Sequence, residues 1–269
     1  METGSSERGR VRILLSLPEV VSLDVAAGVL GPSLFVVHLV SSGPPSWPTQ
    51  VALVCAVLAV YNLDHLLDSF RPDSESTARR RRYAENRRSL GAVGLLAFVV
   101  GAAMLPFLPR IVVLYGLALA AYQTLYFLAL RLGMSGVAKR CAAAVGWAAG
   151  ACIPGWISAS PDQRGLVLTV FVLLANIAWI NLQSYALVDD SVEGGGGSLP
   201  GTRLRAIAQA TMVVGLATAC GRFPGLAGSW FVFAILAVVQ TILVKLPRDF
   251  VHPVGEWSLA LLGLVRFLG

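Results

Sequence analysis

Carboxylates stand at the ends of two apolar runs. Asp64 and Asp68 close the run that begins near Val51, in the stretch Tyr61-Asn62-Leu63-Asp64-His65-Leu66-Leu67-Asp68. Much later, Asp189, Asp190 and Glu193 close another. In each stretch acidic residues recur at i and i+4, a spacing that shares one helix face. Charge at the end of an apolar helix is costly. Two carboxylates one turn apart also repel, unless one is protonated or a cation is shared. Mg²⁺ answers both problems, since it takes hard oxygen donors, usually one or two carboxylates with waters and substrate phosphates. Two such clusters on facing helices would hold metal ions that bridge one diphosphate. That suits ionisation of an allylic diphosphate, with pyrophosphate leaving toward the metals and a carbocation forming in an apolar cavity. Asp64, Asp68, Asp189, Asp190 and Glu193 are therefore expected metal ligands, and Asp64, Asp68, Asp189 and Glu193 the expected catalytic set.

A diphosphate also needs cations. Lys139 and Arg140 precede an apolar run, Arg203 and Arg205 follow the second acidic stretch, and Arg79–Arg82 with Arg87 and Arg88 follow the first. Arg offers bidentate phosphate contact and Lys a point charge. Lys139, Arg140, Arg79, Arg87 and Arg203 are expected substrate contacts; a competing role for Arg79–Arg82 is attraction to anionic lipid. His65 is expected to face the loop rather than serve as a base. Asp24 fits either a supporting role near the site or a place at the lipid interface.

The elements that must position these residues follow from composition. The chain has 269 residues, 56% hydrophobic and 13% charged, whereas soluble domains are about one quarter charged. Apolar runs of about 20 residues recur along its length, the mark of spanning helices rather than of short alternating barrel strands. The expected fold is an all-α membrane protein, a bundle of about nine transmembrane helices. They fall at about 18–40, 49–68, 89–105, 110–132, 137–157, 165–188, 206–220, 229–246 and 254–268. Residues 1–12 are expected to be disordered and cytoplasmic. Residues 13–269 should form a single transmembrane domain, with cytoplasmic loops 69–88 and 189–205 over the site. The Gly194–Gly197 run makes the second loop flexible and is no phosphate-binding signature.

Charge sets the orientation. All but four of the 21 Lys and Arg (Arg110, Arg164, Arg222 and Arg266) fall on one side of this nine-helix arrangement, which places the N-terminus and both acidic stretches in the cytoplasm. The same rule accounts for the net charge of +6 without a nucleic-acid partner. Cys55, Cys141, Cys152 and Cys220 lie in or beside apolar runs with no motif spacing, and read as small core residues.

These motifs resemble those of the UbiA superfamily of intramembrane prenyltransferases, nine-helix bundles with aspartate-rich motifs at the ends of helices two and six. The first family motif is N-D-x-x-D-x-x-x-D; Asp64 and Asp68 match its last two aspartates, while Val60-Tyr61 stands where the leading Asn-Asp would be and Asn62 lies beside them. The run Asn181-Leu182-Gln183-Ser184-Tyr185-Ala186-Leu187-Val188-Asp189 looks like the family's Q-Y-A-M-V-D segment, and Glu193 takes the place of its last aspartate. Gly197-Ser198-Leu199-Pro200 resembles the segment that follows, Asn86-Arg87 echoes an N-R-P-L element, and Tyr126 with Lys139 fits a Tyr-then-Lys pattern. The resemblance implies a polyprenyl diphosphate donor, Mg²⁺, an aromatic or lipid acceptor and a site opening to the bilayer. It adds Asn62, Tyr126, Asn181 and Tyr185 to the expected substrate contacts, with Asn181 and Gln183 also suited to binding neighbouring helices. The missing Asn-Asp is where this chain is expected to differ from its relatives.

Two further classes stay open. Some UbiA-like proteins are terpene cyclases, which use no acceptor. A transporter or structural membrane protein is the third reading; against transport, the polar residues crowd at one end of their helices and no inverted repeat with broken helices is evident.

Overall fold

The computed structural model describes residues 22–41, 43–70, 78–134, 136–190, 199–223, 226–242 and 248–263, with some helical positions, among them 68, 78–80, 82, 186–190 and 199–208, described by backbone alone. Every regular element among them is helical. In order these are α1 (Leu23–Val40), α2 (Trp47–Asp68), α3 (Ala78–Glu85), α4 (Arg87–Met104), a 3₁₀ turn (Leu105–Phe107), α5 (Arg110–Arg131), α6 (Gly136–Ser158), α7 (Arg164–Asp190), α8 (Leu199–Arg222), α9 (Ala227–Ile242) and α10 (Arg248–Ala260). Six of them, α1, α2 and α4–α7, are long and apolar enough to cross a membrane by length and composition. That is the character of a multi-pass, all-α membrane protein.

The expected helices recur within a few residues, except α8 and α10; α10 starts at Arg248, six residues before the run expected at 254. α8 starts at Leu199, earlier than its apolar run, because the residues from 199 to 205 continue the helix rather than a loop. The 69–88 stretch likewise contains a helix, α3, whose sequence Ala-Arg-Arg-Arg-Arg-Tyr-Ala-Glu lacks the apolar period that would have marked it. Arginine and alanine favour helix even where no hydrophobic stripe shows.

The chain divides into two compact units, one of Met1–Ala27 with Pro48–Phe107 and one of Gly28–Trp47 with Leu108–Gly269. In the first, α2 and α4 run antiparallel along small residues. A Cβ built on Gly91 would lie 4.0 Å from Leu66 Cδ2, on Gly94 3.4 Å from Asn62 Cβ, and on Gly101 3.2 Å from Cys55 Cβ. Small residues at such a seam let helix backbones approach without help from a hydrophobic effect, which lipid does not supply. Asp24 is buried in the first turn of α1, where its Oδ1 accepts from the Val25 amide at 2.9 Å. A carboxylate at a helix N-terminus is favoured by the dipole.

The second unit is built around α7, whose Val170, Leu173, Leu174, Ile177 and Ile180 are all buried. α5 and α6 form a hairpin: α5 closes in a Schellman turn, Gly133 adopting φ +97°, with the Met134 N–H donating to the Ala129 carbonyl and the Gly133 N–H to the Leu130 carbonyl. Tyr122 then donates to the Ala142 carbonyl (2.7 Å) and Trp156 to the Tyr115 hydroxyl (2.9 Å). The spanning stretch of α5 is only 6% buried, against 50% for α7, so α5 is peripheral and presents its leucines outward. α9 packs on α1 through Phe35 and Phe233, edge to face at 5.3 Å, and joins α10 through Gln240, whose amide donates to Gly255 O and Ser258 Oγ at 3.0 Å each.

Candidate functional site

At the end of α2, Asp64 is half-buried one turn before the terminus, and Asp68 is the last helical residue, its side chain outside the described residues. Asn62 is fully buried; its amide donates to Leu58 O at 2.8 Å, back into the helix. His65 faces the 69–88 stretch, as expected, but that stretch is the helix α3 where they meet. The His65 side chain is buried, stacked on Tyr83 of α3 at 4.1 Å and 14° and edge-on to Tyr61 at 6.4 Å. It is α3 that brings the Tyr83 ring against the imidazole. Arg87, at the start of α4, donates from Nε to Ser69 Oγ at 3.1 Å and from its terminal nitrogen to the Ser69 carbonyl, and lies 4.8 Å over the Phe70 ring. A guanidinium on the carbonyl end of a helix satisfies groups the helix cannot pair internally and complements its dipole. Arg87 is thus a clamp on the turn that follows Asp68.

In the second unit, Lys139 and Arg140 lie in the first turns of α6, both half-buried. Cations at a helix N-terminus add to its positive end, an arrangement an anion would relieve. Arg140 Nε has no hydrogen-bond partner among the described residues. Tyr126 is half-buried on α5, its ring beside Phe127 at 5.5 Å.

The last turns of α7 form a buried polar belt of Asn181, Gln183, Ser184 and Tyr185. Asn181 Nδ2 and the Tyr185 hydroxyl both donate to Glu256 Oε1 of α10, each at 3.2 Å. Asn181 Oδ1, Gln183 Nε2 and Gln240 Oε1 have no hydrogen-bond partner among the described residues. The described part of α7 runs through Asp189 and Asp190. The side chains of Asp189 and Asp190, like those of Arg79 and Arg203, are outside the described residues, and Glu193 lies outside them altogether. Among the described residues no three His, Cys, Asp or Glu side chains group to hold a metal ion. Of the expected ligands only the Asp64 side chain falls within that set.

Glu256 was not singled out by sequence reasoning. Its signal was available: it is the one carboxylate in the last apolar run, 254–268, and an ionisable residue in such a run calls for a partner.

The fold and these residues together define a multi-pass helical membrane protein with carboxylates at the ends of two of its apolar helices. Compared with family models, curated proteins and solved structures, the chain finds no match.

Proposed function

We propose that this protein is a Mg²⁺-dependent intramembrane prenyltransferase of UbiA type, which ionises a polyprenyl diphosphate and transfers the prenyl group to an aromatic or lipid acceptor. The observation that carries the reading is that α2 and α7 each end on an acidic stretch, at Asp68 and at Asp189-Asp190. Four candidate spans, Arg87–Phe107, Arg110–Arg131, Gly136–Ser158 and Arg164–Tyr185, lie in sequence between them. An even number of crossings returns the chain to the side it left, which supports one membrane face, the cytoplasmic one by charge, for both stretches.

Asp64, Asp68, Asp189, Asp190 and Glu193 supply the hard oxygen donors that Mg²⁺ takes, so the donor chemistry fits the metal. Bound there, Mg²⁺ would neutralise charge on the departing pyrophosphate. Lys139 and Arg140 would add positive charge at the α6 N-terminus, where phosphate oxygens are favoured. The apolar helices would exclude water from the prenyl cation. In this reading α8, α9 and α10 complete nine spans with the six apolar helices.

Purified protein in detergent, given Mg²⁺ and geranyl, farnesyl or geranylgeranyl diphosphate, should release pyrophosphate and form an adduct with an aromatic acceptor. Release with a hydrocarbon or alcohol product and no acceptor would instead identify a cyclase. Absence of release at every chain length would reject both.

A further inference from the structure

Glu256 is half-buried on α10 and gathers three helices. Its Oε1 takes hydrogen bonds from Asn181 and Tyr185 of α7, residues 75 and 71 positions away in sequence. Its Oε2 lies over Gly28 of α1, where a Cβ would come within 2.7 Å. The adjacent Gly255 is equally tight: a Cβ there would run into the Tyr185 hydroxyl and lie 2.6 Å from Asn181 Oδ1. Gly31 faces the Ala260 backbone with no room for a side chain. Glycines on α1 and α10 thus let the three helices close around one carboxylate.

Asn181, Tyr185 and position 189 follow one another at i, i+4 and i+8 along α7, so they share a face. We infer that Glu256 is a positioning residue for the acidic part of α7: by holding Asn181 and Tyr185 it sets the rotation of the turn that carries Asp189 and Asp190. The clamp stands on the contacts alone; its consequence for metal binding rests on the function proposed above. A carboxylate suits the task because a single oxygen can accept both donors.

The test uses the full chain in detergent, with Glu256→Ala, Glu256→Gln, Tyr185→Phe and the Glu256→Ala/Tyr185→Phe pair. Hydrogen exchange of amides 186–190 should quicken at least about tenfold in Glu256→Ala and stay near wild type in Glu256→Gln, whose amide oxygen still accepts. Glu256→Ala should lower Tm by about 3–10 °C, and adding Tyr185→Phe should lower it by less than Tyr185→Phe does alone. The Mg²⁺ concentration for half-maximal pyrophosphate release should rise at least about tenfold in Glu256→Ala, with Glu256→Gln within about threefold of wild type. Wild-type exchange rates in Glu256→Ala, or additive Tm losses, would overturn the inference whatever the activity. So would an exchange defect in Glu256→Gln as large as in Glu256→Ala, since charge rather than position would then be at work. Faster exchange in Glu256→Ala, from a wild type that releases no pyrophosphate, would uphold the clamp and reject the proposed enzyme.

Discussion

His65 lies flat against Tyr83, their ring centroids 4.1 Å apart and their planes 14° from parallel, both residues buried. The stack ties the basic helix α3 to α2 one residue beyond Asp64, with Leu66 and Leu90 packed beside it. Stacked aromatic pairs contribute about 0.5–1.5 kcal/mol beyond their burial. Tyr83→Ala should release α3, and limited trypsin digestion should then cut at Arg79–Arg82 several times faster than in wild type. Tyr83→Phe should cut at the wild-type rate, since the ring and not the hydroxyl makes the stack. Equal cutting of all three proteins would show that α3 is held by something else.

Arg87 gathers Ser69 Oγ, the Ser69 carbonyl and the Phe70 ring in one guanidinium. Hydrogen bonds from a charged donor are worth about 1.5–3 kcal/mol. Arg87→Ala should lose about that much stability in thermal unfolding. Arg87→Lys should recover only part, because an ammonium cannot reproduce the planar fork or the stack on Phe70. A fully stable Arg87→Lys would mean that charge alone is required.

Gly255 and Gly116 make a matched pair. Gly255 is packed against Tyr185 and Asn181, whereas a Cβ on Gly116 meets nothing within 4 Å. Gly255→Ala should cost about 1–3 kcal/mol through overpacking. Gly116→Ala, inside α5, should stabilise by about 0.5–1 kcal/mol, since alanine is the better helix former. Melting temperatures of the two variants should therefore move in opposite directions.

Loss of either acidic stretch should abolish turnover while sparing the fold. Asp64→Asn and Asp189→Asn are each expected to reduce pyrophosphate release by at least about 100-fold, with unchanged helical circular dichroism. EDTA should do the same to the wild type, and added Mg²⁺ should restore it. Activity in either variant near that of the wild type would remove the carboxylates from the mechanism.

Lys139 stands at the N-terminal end of α6 with Arg140 beside it. Lys139→Ala should raise KM for the diphosphate by about tenfold, roughly the 1.4 kcal/mol of one lost charge contact, with a smaller effect on kcat. Because the cation also burdens the helix dipole, the same variant should melt no lower than wild type.

The helices were plain in the sequence because lipid imposes a length and a composition on every span, and α1, α2 and α4–α7 follow both. Asp64 with Asp68, and Asp189 with Asp190, were legible for the same reason, since charge stands out against an apolar run. α3 was not, because its helical preference is carried by arginine and alanine without a hydrophobic period.

The linear chain by itself determined the all-α class, the helix boundaries to within a few residues for most elements, and the acidic ends of α2 and α7. Tertiary structure alone decided the partners. Tyr83 reaches His65 across 18 residues, Arg87 spans the same distance to Ser69, and Glu256 meets Tyr185 across 71. Such pairings depend on which helix faces turn together and how closely glycines let them approach. Neither is encoded in local propensity or in the hydrophobicity of any one run, because each is a property of two helices at once.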